Sequence, residues 1–231
     1  MLYAQVHLTL PAWVHDAVDT ACAYASDADK VALAIALSQQ NVEAETGGPF
    51  GAAVFGPDDR IIAIGVNRVV PHACSVAHAE MMAYMLAQGR TQRLRLNRDA
   101  DDNPIGPITL ATSSQPCCQC YGATVWAGVD RLLIGARAED VMALTEFDEG
   151  PLPADWVGEL NARGIHVVRD IERDAACAVL RAYGERGGEV PREEWLVGSP
   201  VGFSGPWGTT YAANLRIKAA EMDESGWLKY T

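Results

Sequence analysis

The chain has 231 residues, with 30 acidic and 18 basic side chains and a formal net charge of −12. At 49% hydrophobic and 21% charged it can bury a core, which excludes an intrinsically disordered chain. No apolar run approaches the ~18–20 residues of a membrane span, and the first residues lack the basic and apolar regions of a secretory leader. A cytoplasmic protein with no membrane partner is expected. Gripping a polynucleotide takes many Lys and Arg to displace counterions; the only lysines are Lys30, Lys218 and Lys229. The local cluster Arg90, Arg93, Arg95 and Arg98 reads best as a solvated loop. The balance favours a small-molecule substrate over nucleic acid.

In chain order, residues 12–25 suggest a short helix. Residues 29–45 suggest a longer one, with Asp27 or Asp29 as cap and apolar Val31, Ala34, Ile35 and Val42 near helical spacing. The runs 52–55 and 61–66 flank Gly56–Pro57–Asp58–Asp59 and read as a β-hairpin. Residues 67–75 form a loop, and 77–88 a helix ending at Gly89. Strands are expected at 108–112, 131–136 and 165–168, and helices at 116–126, 139–144, 155–163 and 171–183. Strands alternating with helices after a hairpin predict an α/β fold: a three-layer α/β/α domain around a mixed five-stranded sheet. After Gly187–Gly188 the composition shifts toward Trp, Gly and Pro. The expected division is a catalytic domain over 1–187 and a tail over 188–231, with a short helix at 212–222.

Six cysteines in a chain of this length, without an export signal, argue against a disulfide framework. Cys22 and Cys177 lie in Ala-rich stretches and are expected to be small buried hydrophobes. Met81, Met82 and Met85 are expected to fill core, and His166 to be structural. His72, in the loop before the first motif, could touch a substrate but needs no such role.

The chemistry lies in His78–Ala79–Glu80 and Pro116–Cys117–Cys118–Gln119–Cys120. Each opens a predicted helix. Cys117 and Cys120 are three apart, so both thiolates face one way from a first helical turn, where the helix dipole favours them. Pro116 suits the first helical position. With His78 they make a two-thiolate, one-imidazole donor set for Zn²⁺ with the fourth tetrahedral position open for water, the pattern of a catalytic site. Glu80, two residues from a ligand, can take a proton from that water without ligating the metal and hand it to a leaving amine. Together, H-x-E and P-C-x-x-C form the zinc deaminase signature. A closed structural site, with Cys74 as fourth ligand or Cys118 replacing a neighbour, is the alternative; it leaves Glu80 without a task.

The stretches GGPFGAAVF, GVNRVV, HAE, PCCQCYGATVWAGV and FDEGP resemble the cytidine deaminase-like zinc aminohydrolases, and most closely the bacterial guanine deaminases among them. The similarity extends, with gaps, over about residues 30–185. It implies hydrolytic deamination at an amidine-like ring carbon: zinc-bound hydroxide attacks, a tetrahedral intermediate forms and ammonia leaves, so that guanine would give xanthine. By the same resemblance His78, Cys117 and Cys120 match the metal ligands and Glu80 the proton shuttle. Asn67 matches a base-orienting amide, though a turn Asn looks the same. Phe50 and Trp126 match aromatic positions near the base, with core packing as their alternative. Asp148 and Glu149 match a loop bearing a second carboxylate; Glu149 is the expected catalytic acid, able to accept from N1–H and the 2-amino group or to relay protons. The resemblance also implies a homodimer.

Two departures bear on the substrate. Gln115 stands where the family usually has Glu, which removes a charge near the site. The family's tail aromatic has no counterpart that can be placed on residues 188–231; Trp195, Phe203, Trp207, Tyr211, Trp227 and Tyr230 could form a lid or simply pack, and packing is favoured. A free nucleobase, guanine first, is the expected substrate. The rivals are another aminopurine, an aminotriazine, a pyrimidine base or a nucleoside, then an RNA adenosine or a non-catalytic zinc module.

Overall fold

The computed structural model describes residues 4–187 and the backbone of 202–205 and 208–211. The chain divides into two compact units, Met1–Glu185 and Arg186–Thr231. The first contains a mixed five-stranded sheet. Strands β1 (Gly51–Phe55) and β2 (Ile61–Val66) form the expected hairpin, and β3 (Thr109–Ser114) pairs antiparallel with the other edge of β1. Strands β4 (Arg131–Ala136) and β5 (His166–Val168) extend the sheet in parallel, giving the order β2-β1-β3-β4-β5.

Alternation along these strands builds two cores. Ala53, Phe55, Ala111 and Leu133 face one cluster with Val31 and Ile35 of α2 (Asp27–Glu43), Val141 of α6 (Ala138–Leu144) and Val179 of α8 (Arg173–Arg186). Ala52, Val54, Leu110, Leu132 and Ile134 face the other, with Ala83 of α4 (Ala79–Thr91), Ala127 of α5 (Cys118–Ala127) and Leu160 of α7 (Trp156–Asn161). Every residue of β1 and β3 is buried. Being covered on both faces, strands need no polar alternation, and this is why they read as apolar runs.

Several local expectations change. The helix expected at 12–25 is only α1 (Val14–Ala17). The Asp19 carboxylate accepts the Ala21 N–H and turns the chain, after which Ala23 bridges to Arg60 of the hairpin. Cys22 is therefore exposed rather than buried, whereas Cys177 packs partly against the first core. Helix α2 is capped by Ser26, whose hydroxyl oxygen accepts the Asp29 N–H at 3.0 Å, and not by Asp27 or Asp29. The loop 67–75 contains the short helix α3 (Val69–His72). Helix α4 runs through Gly89, around which a side chain would meet nothing, and stops where Gln92 turns left-handed. Of its methionines only Met82 is fully buried; Met85 is 39% exposed. His166 is exposed on β5.

In the second unit β6 (Gly202–Gly205) and β7 (Gly208–Tyr211) form an antiparallel hairpin. The side chains of Phe203 and Tyr211, the residues Trp195, Trp207, Trp227 and Tyr230, and the helix expected at 212–222 lie outside the described residues. No helix among the described residues is long and apolar enough to cross a membrane.

Two glycines set how closely helices approach the sheet. A Cβ on Gly51 would lie 2.3 Å from the Ala34 carbonyl of α2, and one on Gly65 would lie 2.0 Å from the Ala79 carbonyl of α4. Both obstacles are backbone, so neither can swing aside. Gly65→Ala is expected to force α4 off β2 at about 1–3 kcal/mol, a fall of roughly 2–12 °C in Tm. Thermal unfolding checks this; an unchanged Tm would contradict so close a packing.

Candidate active site

The three candidate ligands sit at the starts of two helices. His78 is the N-cap of α4 and Cys117 the N-cap of α5, both in extended conformation, and Cys120 lies within the first turn of α5. Pro116 therefore precedes the cap instead of taking the first helical position. The His78 Nδ1 lies 3.4 Å from the Cys117 Sγ and 3.6 Å from the Cys120 Sγ, and all three ligand atoms fall within 4.8 Å of one another. Around a tetrahedral Zn²⁺ the nitrogen-to-sulfur edge is about 3.5 Å. The donor set thus fits zinc in chemistry and in spacing. Neither Cys74 nor Cys118 belongs to this cluster, so the closed four-ligand alternative finds no fourth donor among the described residues. Cys118 is exposed.

Without a cation the three ligands must share protons. Hydrogen bonding from Cys120 draws the Cys117 thiol down to about 4, against burial, while the same bond keeps Cys120 protonated well above the ordinary thiol value. The bond to Cys117 also raises His78. A divalent cation would take the place of these shared protons.

Glu80 is buried behind the ligands. Its Oε2 accepts from the Cys120 Sγ and its Oε1 from the Thr112 Oγ1 of β3, each at 3.4 Å. Burial first, then the Cys117 charge, raises its pKa. Glu149 arrives from the segment after α6. Cys118 donates its N–H to the Glu149 carbonyl at 3.0 Å, and Gly150 takes a left-handed φ of 68° where a Cβ would stand 2.7 Å from the Cys118 Sγ. The Glu149 side chain is buried, and its pKa is pushed up to about 8 by burial first, then by the charges of Cys117 and Glu80. Asp148 is exposed, and its carboxylate accepts the Gly150 N–H.

Asn67 ends β2 and is buried, and the following Arg68 N–H donates to the carbonyl of Ala77, beside His78. Its Oδ1 accepts the Val69 N–H at 3.1 Å, the turn role foreseen as the alternative, and its Nδ2 has no partner among the described residues. Phe50 packs against both cores, and its ring lies 5.3 Å from that of Phe147, which stacks in turn on Tyr183 at 5.6 Å. Trp126 does not join the cluster. It is 80% exposed near the far end of α5, so among the described residues it neither lines the ligands nor packs in a core. His72 is bonded through Nε2 to the Thr9 backbone. Arg90 and Arg98 donate to backbone carbonyls of Ile62 and Asp102.

Sequence reading missed the supports beneath these residues. Tyr84, one turn after Glu80, pairs its hydroxyl with the Thr124 Oγ1 at 2.8 Å, and that hydroxyl donates to the Cys120 carbonyl at 2.8 Å. This bolts α4 to α5 just below the ligands. Phe147 anchors the segment carrying Glu149. A step of four from Glu80 and from Cys120 would have pointed to Tyr84 and Thr124; nothing in the sequence singles out Phe147.

Fold and site together define a hydrolytic aminohydrolase. Residues 25–136 match the cytidine and deoxycytidylate deaminase zinc-binding region, and the chain belongs to that family. It is 34% identical to a probable cytosine deaminase of Schizosaccharomyces pombe over 131 residues, 57% of this chain and 72% of that protein. It is 35% identical to the guanine deaminase of Bacillus subtilis over 116 residues, 50% of this chain and 67% of that one. Among solved structures, the guanine deaminase of Nitrosomonas europaea is 41% identical, with a TM-score of 0.72 over 80% of this chain and 99% of that one.

Two outcomes follow. Purified Cys117→Ala and Cys120→Ala proteins should lose nearly all zinc by elemental analysis, while Cys74→Ala keeps one ion per chain; zinc loss from the last would require a fourth protein ligand. In the metal-free protein the raised Glu149 ties folding to proton uptake. Its contribution is greatest below the ordinary value of 4.5 and declines as pH rises to about 8. Urea unfolding of zinc-free protein at about pH 5 and about pH 8 should show a smaller decline for Glu149→Gln than for the unaltered chain.

Proposed function

We propose that this protein is a zinc-dependent deaminase of a free nucleobase, and that the base is guanine, converted with water to xanthine and ammonia. One observation carries the reading: two buried carboxyl groups, Glu80 and Glu149, come to one His/Cys/Cys cluster from segments distant in the chain. A single carboxylate suffices to shuttle protons. A second suits a base that offers N1–H and an exocyclic amine as neighbouring donors. The extent of the likeness to the Nitrosomonas guanine deaminase, over 80% of this chain, supports the same choice. A structural neighbour at 42% identity and a TM-score of 0.72, covering 81% of this chain and 96% of its own, is in complex with 2,6-diaminopurine.

His78, Cys117 and Cys120 would hold Zn²⁺. Bound there, it lowers the pKa of water so that a nucleophile exists at neutral pH. Glu80, 3.4 Å from the Cys120 sulfur, would accept one proton from the attacking water and pass it to the ring nitrogen beside the amino-bearing carbon. The second water proton leaves with the amine as ammonia. Glu149, buried beside the cluster, accepts from the N1–H and the exocyclic amine of the base. The free Nδ2 of Asn67 can donate to an acceptor on the base, and Phe50 offers an aromatic wall beside it. A homodimer in the cytoplasm completes the proposal.

The likeness to the fission-yeast cytosine deaminase favours one competing reading, a pyrimidine base. Ammonia release by purified zinc protein separates the two, assayed with guanine, adenine, cytosine, their nucleosides and aminotriazines. Guanine should be turned over and cytosine should not. Glu80→Gln should lower kcat by about 10²–10⁴-fold, and Glu149→Gln should remove most turnover, both with zinc retained. Release from cytosine alone, or near-normal turnover by Glu149→Gln, would overturn the guanine assignment.

A further inference from the structure

We infer that Asn41, on α2, is a positioning residue that sets the base-binding edge of the pocket by holding Asn67 and the strand start at Phe50; this rests on the reading that those two residues meet the base. Asn41 is wholly buried, yet no step of the reaction uses it. Its Nδ2 donates to two backbone carbonyls, Gly48 at 2.9 Å and Asn67 at 3.0 Å. Its Oδ1 accepts from the Thr46 hydroxyl at 2.8 Å, which fixes which way the amide faces. The Thr46 Oγ1 in turn accepts the Trp13 indole N–H at 3.0 Å.

The two carbonyls belong to the segments that define the proposed base edge. Gly48 lies two residues before Phe50, and the Asn67 amide N–H donates to the Phe50 carbonyl at 3.0 Å. One side-chain amide therefore ties both segments, which are already tied to each other. The chain is built around this contact. Gly47 adopts a φ of 153°, and a Cβ there would stand 2.0 Å from the Asn67 carbonyl and 2.9 Å from the Asn41 Nδ2. Glycine is required where the backbone passes so close.

Only an amide fits the position. Serine reaches neither carbonyl, and an aspartate of the same shape replaces two donations by two acceptor–acceptor contacts. Asn67 would then shift as a unit, carrying its free Nδ2 away from the base. The ligands on α4 and α5 hang on separate bonds, through Tyr84 and Thr124. The expected defect is in binding the base, with zinc and the chemical step spared.

The test is a double-mutant cycle with Asn41→Asp and Asn67→Ala, read as KM and kcat for guanine with zinc content measured on every protein. Asn41→Asp should raise KM roughly tenfold, leave kcat within about threefold and keep one zinc per chain. The double variant should be no more than about twofold worse in KM than Asn67→Ala alone, because the two act through one contact. Thr46→Val, which keeps the Asn41 amide but takes the Thr46 hydroxyl from both Asn41 and the Trp13 indole, provides a milder variant and should raise KM in the same direction. Unchanged KM in both Asn41→Asp and Thr46→Val, or additive effects in the cycle, would overturn the inference. If guanine proves inert, the functional reading fails separately, and the cycle is read with whichever base of the ammonia screen is turned over.

Discussion

Two thiols and an imidazole held within 4.8 Å of one another cannot all adopt their ligand forms without a cation among them. Two thiolates at that range repel, and the cluster settles instead on a shared proton, with Cys117 ionised and Cys120 protonated. Two buried carboxyl groups add more negative charge to the same small volume. A divalent cation resolves the conflict directly, by replacing protons as the positive partner of every acid around it. The fold can be understood as the scaffold that keeps these acids together and nearly dry.

That scaffold works by bringing two helix starts to one place. The N-terminal ends of α4 and α5 each bring a positive dipole end to the thiolates. Glycine at position 65 lets α4 lie directly on β2, and the Tyr84–Thr124–Cys120 chain of hydrogen bonds fixes α5 against α4. The outer parts of the pocket hang on different supports. Glu149 is fixed by a backbone bond to Cys118 and by Phe147 between Phe50 and Tyr183. Asn67 is fixed by its own turn and by Asn41. The two sets of supports meet where the Arg68 N–H donates to the Ala77 carbonyl beside His78.

Legibility followed locality. The hairpin could be read because a turn cluster separates two apolar runs, and the sheet because buried strands need no polar partners along their length. The segment 12–25 was misread because its helical spacing is weak and the Asp19 turn, together with pairing to the hairpin, outweighs it. Helix α4 outran Gly89 because an exposed glycine costs a helix only about 1 kcal/mol, too little to end it. Where Trp126 stands is a matter of helix geometry. Its place in the motif is near Cys120 in sequence, but six residues of helix carry it about 9 Å along the axis and onto an exposed face.

By itself the sequence determined the donor set. Ligand type and spacing are local properties: a C-x-x-C at a helix start faces both sulfurs one way, and Glu80 follows by two a ligand that stands in extended conformation at the N-cap. What only the tertiary structure decided is which of the remaining polar groups turn inward. Asp148 and Glu149 are neighbours of the same charge, yet one is exposed and the other buried with its pKa near 8. Asn41 is one of several polar residues on its helix, and only the passage of Gly47 and Asn67 beside it makes it a brace. Burial and hydrogen-bond partnership are set by segments distant in the chain, so no reading of neighbours along it can supply them.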